Sequence, residues 1–576
     1  MIEIVIDGQV VEVEAGVTVL EAATRAGRRI PSLCYRRECS PSTSCLVCLV
    51  KDLGANRLIP SCAAKVQAGM RIDTGSEEVL AARRTAVELL LSEHAGDCEA
   101  PCTLVCPAHL DVPAMIRAIQ AGDDACAALI ARRDLALPGV LSRLCHAPCE
   151  KACRRRQHDE AVAIRDLERH AADLPVAVQG ADAGKSVAVV GGGPAGLAAA
   201  FELRMLGYAV VVFDARASMG GTLHGAVADG TLPAAALVRD VDALAKAGVQ
   251  FQPERRITDL AGPGAGVGAV VVATGSHAKA EALLPGIPVV HHEAHTTAAA
   301  GRAVREGVIV CGSALHPCRT VVHAVADGKE AAQMAHRYLS LLQNSLQSGR
   351  DGARPSRRRP VLNDGGTTSV SSAGVLQEAH LAQGSVGAAR RRFNCHIGRL
   401  AEGEMAEFLK EAEAYPRVKA AGPDEEAFNA EESVQEAARC LHCDCRKKDD
   451  CRLRDGADET GALQHRFKSG GRAPMRKDCT HADLVLEPGK CIKCGLCVQV
   501  SDQAGERPGL AMLQRGYGME AGVPFGGTLA EGLSRSAGAC ADVCPTGALA
   551  RRSPTTEDTE YTEGGKVAAE ELSPRH

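Results

Sequence analysis

Tryptophan is absent from the 576 residues, and only 6 tyrosines and 8 phenylalanines are present. That scarcity removes the aromatic platforms on which single-stranded nucleic acid stacks. An excess of either charge is also missing. The 66 Lys and Arg stand against 71 Asp and Glu, for a formal net charge of −5, so no broad basic field invites a polyanion. Two short basic runs, SRRRP around Arg357 and ARRRF around Arg391, flank a Gly/Ser-rich stretch and read as solvated linker. No uninterrupted apolar run is long enough to span a bilayer; the longest candidate, Val187 to Phe213, contains glycines, Glu202 and Arg204. The N-terminus, MIEIVIDGQV, has neither the basic start nor the apolar centre of a secretory signal. These absences predict a cytoplasmic chain with no membrane insertion and no nucleic-acid partner.

What the chain has in abundance is cysteine, 25 in all. In a reducing compartment tightly spaced thiols bind metal far more often than they pair as disulfides. The odd count points the same way.

IEIVI (2–6) and VVEVE (10–14) read as two strands about an Asp7-Gly8 turn, with a helix near 18–26. Then come Cys34, Cys45, Cys48 and Cys62, a C-x10-C-x2-C-x13-C pattern. Soft thiolates delocalise charge from iron, and four close a cluster. The match IPSLCYRRECSPSTSCLVCLV resembles the 2Fe–2S β-grasp domain of complex I's large iron–sulfur subunit and of iron-only hydrogenases. A zinc site is the alternative. Cys39 is read as a spectator.

HAGDCEAPCTLVCP supplies His94, Cys98, Cys102 and Cys106, and LCHAPCEKACRRR supplies Cys145, Cys149 and Cys153. With AIRDLERHAAD after them, these motifs resemble the N-terminal domain of the glutamate synthase small subunit, which implies two 4Fe–4S clusters, one with a non-cysteine ligand. The family's upstream C-x2-C is missing here. The resemblance therefore implies His94, Cys98, Cys102 and Cys153 around one cluster, and Cys106, Cys145, Cys149 and Glu168 around the other. A surface His94 and a salt-bridged Glu168 are the alternatives.

VAVVGGGPAGLAAAFELRMLGYAVVVFD places Gly191, Gly193 and Gly196 between a strand and a helix, with Asp214 ending the next strand. Such glycines allow a pyrophosphate to approach a helix N-terminus, and the acidic residue can accept ribose hydroxyls. GGTLHG (with Gly221), VVVATGS (with Thr274 and Gly275) and VIVCGSALHP (with Gly312 and Ser313) resemble successive motifs of the same family's FAD domain. The resemblance implies FAD. Two departures stand out: Ser313 replaces the family's flavin-holding Asp, and about twenty residues between Gly286 and Gly307 leave no room for its NAD(P)H domain. A Rossmann scaffold without flavin is the alternative.

RCLHCDCRKKDDC holds Cys440, Cys443, Cys445 and Cys451, read as one further site, with 4Fe–4S preferred to zinc. Finally KCIKCGLCVQVS gives Cys491, Cys494 and Cys497 but Ser501 where a ferredoxin run puts its fourth cysteine. The block to RSAGACADVCPTGAL resembles the double 4Fe–4S domain of complex I's large subunit. In two-cluster ferredoxins each fourth cysteine serves the other run's cluster. One cluster would use Cys491, Cys494, Cys497 and Cys544, all present; the other would need 501, 534, 537 and 540, which are Ser, Ser, Ala and Cys. One cluster is expected whole and its partner gone.

The expected architecture is a multidomain α/β and α+β chain. It has a 2Fe–2S β-grasp domain (1–78), a helical two-cluster domain (79–182) and a Rossmann-like FAD domain (183–341). A linker (342–392), a cysteine-cluster segment (393–470), a ferredoxin-like 4Fe–4S domain (471–553) and a disordered tail (554–576) follow. With one 2Fe–2S cluster, three or four 4Fe–4S clusters and FAD, it would be an electron-transfer subunit of an oxidoreductase. Its partners by analogy are an NAD(P)-linked flavoprotein and a catalytic dehydrogenase, such as formate dehydrogenase, or a hydrogenase. A stand-alone reductase, a non-redox assembly scaffold and a zinc-binding interaction protein are the alternatives.

Overall fold

Ile4 and Ile6 lie two residues apart along IEIVI and share one buried face, as the pleat of a strand dictates. The computed structural model describes residues 1–176, 178, 184–260, 266–275, 280, 282–283, 301–305, 307–315, 318, 320–348, 393–419, 427–467 and 472–552. Most of the expected linker, the expected tail and the segment around Gly286 lie outside these residues. Residues 342–348, expected as linker, continue the helix Val321–Ser348. The chain divides into two units.

The first unit draws on Met1–Ala100, Arg392–Glu413 and Leu441–Asp558. Strands β1 (Ile2–Ile6), β2 (Gln9–Val13), β3 (Leu49–Asp52), β4 (Arg57–Pro60) and β5 (Arg71–Asp73) form a sheet ordered β2-β1-β5-β3-β4. β1 and β2 join through Asp7 and Gly8, both at positive φ, the backbone that a tight hairpin requires. The helix Val19–Arg25 starts with a capping box, in which Thr18 and Glu21 exchange hydrogen bonds and satisfy two otherwise free N–H groups. Its buried face covers Ile4, Ile6 and Val13, and Cys48 and Cys62 lie in the same core. In the C-terminal part of this unit, strand Leu484–Leu486 pairs antiparallel with Leu549–Arg551, and helices Leu496–Gln503 and Ala537–Val543 pack together.

The second unit draws, among the described residues, on stretches within Pro101–Arg391 and Ala414–Cys440. Short helices, among them Val112–Gln120, Asp124–Leu135, Pro138–Leu144 and Ile164–Asp173, precede a six-stranded sheet. Its strands are β6 (Ser186–Val190), β7 (Ala209–Phe213), β8 (Val249–Gln252), β9 (Ala269–Val272), β10 (Gly301–Arg305) and β11 (Val308–Cys311). They run β10-β11-β9-β6-β7-β8, parallel except for β10. The central strands are apolar on both faces, as a sheet covered by helices demands. Arg132 and Asp240, both buried, join the helical part to the sheet part, and Asp240 also accepts the N–H groups of Gly139 and Val140.

Glu436 anchors the returning segment of this unit. Its carboxylate lies fully buried and accepts the N–H of Ala163 at 2.8 Å, the N–H of Val418 at 2.8 Å and Arg439 Nη1 at 2.7 Å. Arg439 in turn donates to the carbonyls of Ala161, Glu160 and Tyr415. Removing one partner of such a network strands the others without water. Glu436→Ala is expected to destabilise this unit by about 3–5 kcal/mol, read as a lower urea midpoint with the slope unchanged.

Candidate metal centres

In the first unit, Cys34 and Cys45 lie in the loop before β3, Cys48 immediately precedes β3 and Cys62 follows β4. All four are buried. The Cys34 thiol is hydrogen-bonded to Cys45 and Cys62, and Cys48 to Cys62, so Cys34 and Cys48 are drawn below the ordinary thiol range. Ser61 Oγ donates to the Cys48 carbonyl at 2.7 Å and fixes the two segments against each other. The thiols expected for the 2Fe–2S site thus converge. Cys39 is buried too, with Glu38 and Arg36 as its charged neighbours rather than another thiol.

Cys491, Cys494, Cys497 and Cys544 also converge. They line one small pocket with Leu486, Ile492 and other apolar residues. The answer to the missing partner cluster lies beside it. Ser501, fully buried, donates to the Val498 carbonyl and accepts the Leu510 N–H. Ser534 donates to Glu506, and Cys540 points its thiol at the Cys497 carbonyl at 3.5 Å. Glu506 accepts from the Ser534 and Ser536 hydroxyls and from the N–H groups of Arg535 and Ser536. A carboxylate knot occupies the neighbourhood that a second cluster would organise.

The grouping expected for His94 and for Cys440–Cys451 is not the one the structure makes. Cys98 lies beside Cys395, Cys445 and Cys451, and the amide of Cys395 donates to Cys98 Sγ at 3.3 Å. The reason is that residues 393–397 are held to 97–99: Ile397 N–H donates to Asp97, and Glu99 N–H donates to Asn394. Sequence reading missed Cys395, a lone cysteine with no spacing motif. His94 caps the helix Glu77–Glu93, and burial with the Lys490 ammonium pushes its imidazole down to about 4. Cys443 packs with Ile397, Phe408, Leu441 and Met475.

In the second unit Glu168 lies within electrostatic reach of Cys106, Cys145 and Cys149, the thiols expected to share a centre with it. Glu168 Oε1 is buried with no hydrogen-bond partner, and burial pushes its carboxyl up to about 8. An unpartnered buried carboxylate oxygen within electrostatic reach of three thiols fits the donor set of a metal centre. Cys102, Cys153 and Cys440 pack against the same core. Arg155, two residues past Cys153, donates to the Arg439 carbonyl, next to Cys440. The segment of Cys440 is thus tied to the segment of Cys153. Among the described residues no group of three or more His, Cys, Asp or Glu stands ready around a single metal ion.

The glycine loop follows β6 as expected. Gly191 has φ of 113°, and a Cβ there would lie 2.2 Å from the Ala273 carbonyl oxygen; one at Gly196 would lie 1.8 Å from the Gly191 oxygen. Only glycine permits that approach. Gly193 begins the helix Pro194–Met205 and faces Gly221, while Thr274 and Gly275 follow β9. Asp214 binds the loop itself, accepting the Gly192 N–H at 2.7 Å and the Arg216 N–H at 2.8 Å. Gly312, at φ of 62°, packs against Ala195 and precedes Ser313.

Family models match four stretches. Residues 1–77 match the 2Fe–2S iron–sulfur cluster binding domain, and 85–179 match dihydropyrimidine dehydrogenase domain II with its 4Fe–4S cluster. Residues 189–245 match an NAD(P)-binding Rossmann-like domain, and 484–550 the ferredoxin-like domain of NADH-quinone oxidoreductase subunit 3. The chain thus carries 2Fe–2S, 4Fe–4S and Rossmann-like domains. It is 39% identical over 186 residues to the NADP(+)-dependent formate dehydrogenase subunit beta of Moorella thermoacetica, covering 27% of this chain and 26% of that one. Identity to the NADPH-Fe(3+) oxidoreductase subunit beta of Geobacter sulfurreducens is 36% over 167 residues, 27% and 25% of the two chains. An NADH-quinone oxidoreductase subunit of Rhizobium meliloti is 43% identical over 98 residues, 17% and 12% of the two. The chain spans about a quarter or less of the length of these relatives. No helix among the described residues is long and apolar enough to cross a membrane.

Glu506 makes the ferredoxin-like part sensitive to acid. Burial opposes its ionisation, yet the N–H groups of Arg535 and Ser536 and the hydroxyls of Ser534 and Ser536 hold it down to about 2, against an ordinary 4.5. The carboxylate therefore contributes stability above pH 4.5, and that contribution fades as pH falls towards 2. Glu506→Gln is expected to unfold at lower urea than wild type at pH 7, with the gap closing below pH 4.5.

Proposed function

We propose that the chain is an electron-transfer subunit of a cytoplasmic multi-subunit oxidoreductase. It would work between an NAD(P)-linked flavoprotein and a catalytic subunit such as a formate dehydrogenase or hydrogenase. The observation that carries this reading is the convergence of thiols, distant in sequence, into separate buried groups. Cys34, Cys45, Cys48 and Cys62 hold a 2Fe–2S cluster. Cys491, Cys494, Cys497 and Cys544 hold one 4Fe–4S cluster, and Cys106, Cys145, Cys149 and Glu168 hold another. Cys102, Cys153 and Cys440 serve a further one. The relatives' printed names, a formate dehydrogenase beta subunit and an NADPH-Fe(3+) oxidoreductase beta subunit, support the setting.

Iron–sulfur clusters supply one-electron exchange, and FAD supplies the junction between single electrons and two-electron donors. The chain's own residues hold these groups and exclude water from them. Cys34, Cys45 and Cys494 share one apolar cluster, and the Cys34 thiol lies within electrostatic reach of Cys494. Buried cations, Lys490 among them, offset the charge of the thiolates. The loop Gly191–Gly196 offers the close backbone approach that a flavin dinucleotide's pyrophosphate requires. Among the described residues one parallel sheet of this type is present, with no second one for a nicotinamide.

Two measurements test the reading. Anaerobically purified protein is expected to develop both 2Fe–2S and 4Fe–4S EPR signals with dithionite. NADPH alone leaves its visible spectrum unbleached, and bleaching begins once the flavoprotein partner is added. Zinc in place of iron and acid-labile sulfide would remove the electron-transfer reading. Separately, acid treatment is expected to release about one FAD per chain, and protein free of released flavin would make the Rossmann-like part a scaffold.

A further inference from the structure

Three stretches of the first unit bring cysteines to one place. Cys98 comes from the segment after the helix Glu77–Glu93, Cys395 from 393–397, and Cys445 and Cys451 from the segment before the helix Arg452–Thr460. All four are buried, at 7%, 1%, 4% and 6% exposure, and none is in a disulfide. Backbone bonds set their register. Cys98 N–H donates to the Cys395 carbonyl at 3.2 Å, and Cys445 N–H donates to the Cys98 carbonyl at 3.1 Å. The thiols of Cys98 and Cys395 are hydrogen-bonded, with Cys445 and Cys451 within electrostatic reach of both. Gly547 clears the way, since a Cβ there would lie 2.1 Å from Cys445 Sγ.

Two buried cations border these thiols. Arg454, buried, donates to the carbonyls of Phe393 and Lys448 and pairs with Glu99. Lys490, also buried, pairs with Glu487 and lies within electrostatic reach of Cys98 and Cys445. The apolar cluster around Cys98, Cys395 and Cys451 also contains Cys34, Cys45 and Cys494.

We propose that Cys98, Cys395, Cys445 and Cys451 ligate a 4Fe–4S cluster of their own, which exchanges single electrons with the neighbouring 2Fe–2S site and the site of Cys491, Cys494, Cys497 and Cys544. The inference rests on the electron-transfer reading above. It removes Cys98 from the set with Cys102 and Cys153, and it divides the Cys440–Cys451 motif.

The test is iron, acid-labile sulfide and EPR on the anaerobically purified full chain. Cys395→Ala is expected to lose about four iron and four sulfide per chain and one 4Fe–4S signal. The 2Fe–2S signal, retained, reports that the unit is folded. Cys445→Ala should lose the same signal, Cys494→Ala a different one, and Cys39→Ala none. If Cys395→Ala disturbs folding, Cys395→Ser, which keeps a weaker oxygen donor, should retain the cluster with a shifted signal. Iron-replete wild type whose Cys395→Ala variant keeps every iron atom and every signal overturns this inference alone. So does loss of zinc in place of iron. Wild type without iron overturns the electron-transfer reading together with it.

Discussion

A thiolate buried among apolar side chains is tolerated only when metal, hydrogen bonds or a neighbouring cation take up its charge. Both units are organised around that constraint. In the first, Cys34, Cys45, Cys98, Cys395, Cys451 and Cys494 lie in one apolar cluster, with Arg454 and Lys490 buried close by. In the second, Glu168, whose buried Oε1 has no protein partner, lies within electrostatic reach of three thiols. Residues that would be costly singly are concentrated where a shared centre can satisfy them together.

The ferredoxin-like part shows the same constraint resolved without metal. Two serines and an alanine stand at cluster positions, and Glu506 gathers the hydroxyls and N–H groups around them. The remaining cysteine there, Cys540, packs as a small buried side chain against the Cys497 carbonyl. Every polar atom named has a protein partner, so the fold keeps its shape on the side that has lost its ligands. The cavity on the other side keeps all four thiols.

The Rossmann-like sheet obeys a steric rule rather than an electrostatic one. Strand β6, the Gly191 turn and the helix Pro194–Met205 approach so closely that side chains at Gly191 or Gly196 would meet backbone oxygens. Gly328 extends the rule to the helix Val321–Ser348, where a Cβ would lie 2.1 Å from the Ala195 oxygen. Asp214 braces the loop from the end of β7.

Local chemistry was legible from sequence wherever ligands or glycines recur at short spacing. The β1–β2 hairpin, the capped helix after it, the Gly191–Gly196 turn and the runs at Cys45–Cys48 and Cys491–Cys497 could all be read directly. These patterns live within one turn or one loop, so neighbouring residues carry the whole signal. The pairing of Cys98 with Cys395, the division of Cys440 from Cys445, and the role of Glu506 could not be read that way. They depend on side chains far apart in sequence meeting through bonds such as Cys98 to Cys395 and Arg155 to Arg439. Spacing along the chain identifies which residues can bind metal; only the folded path decides which of them share a centre, because ligation depends on distance in space.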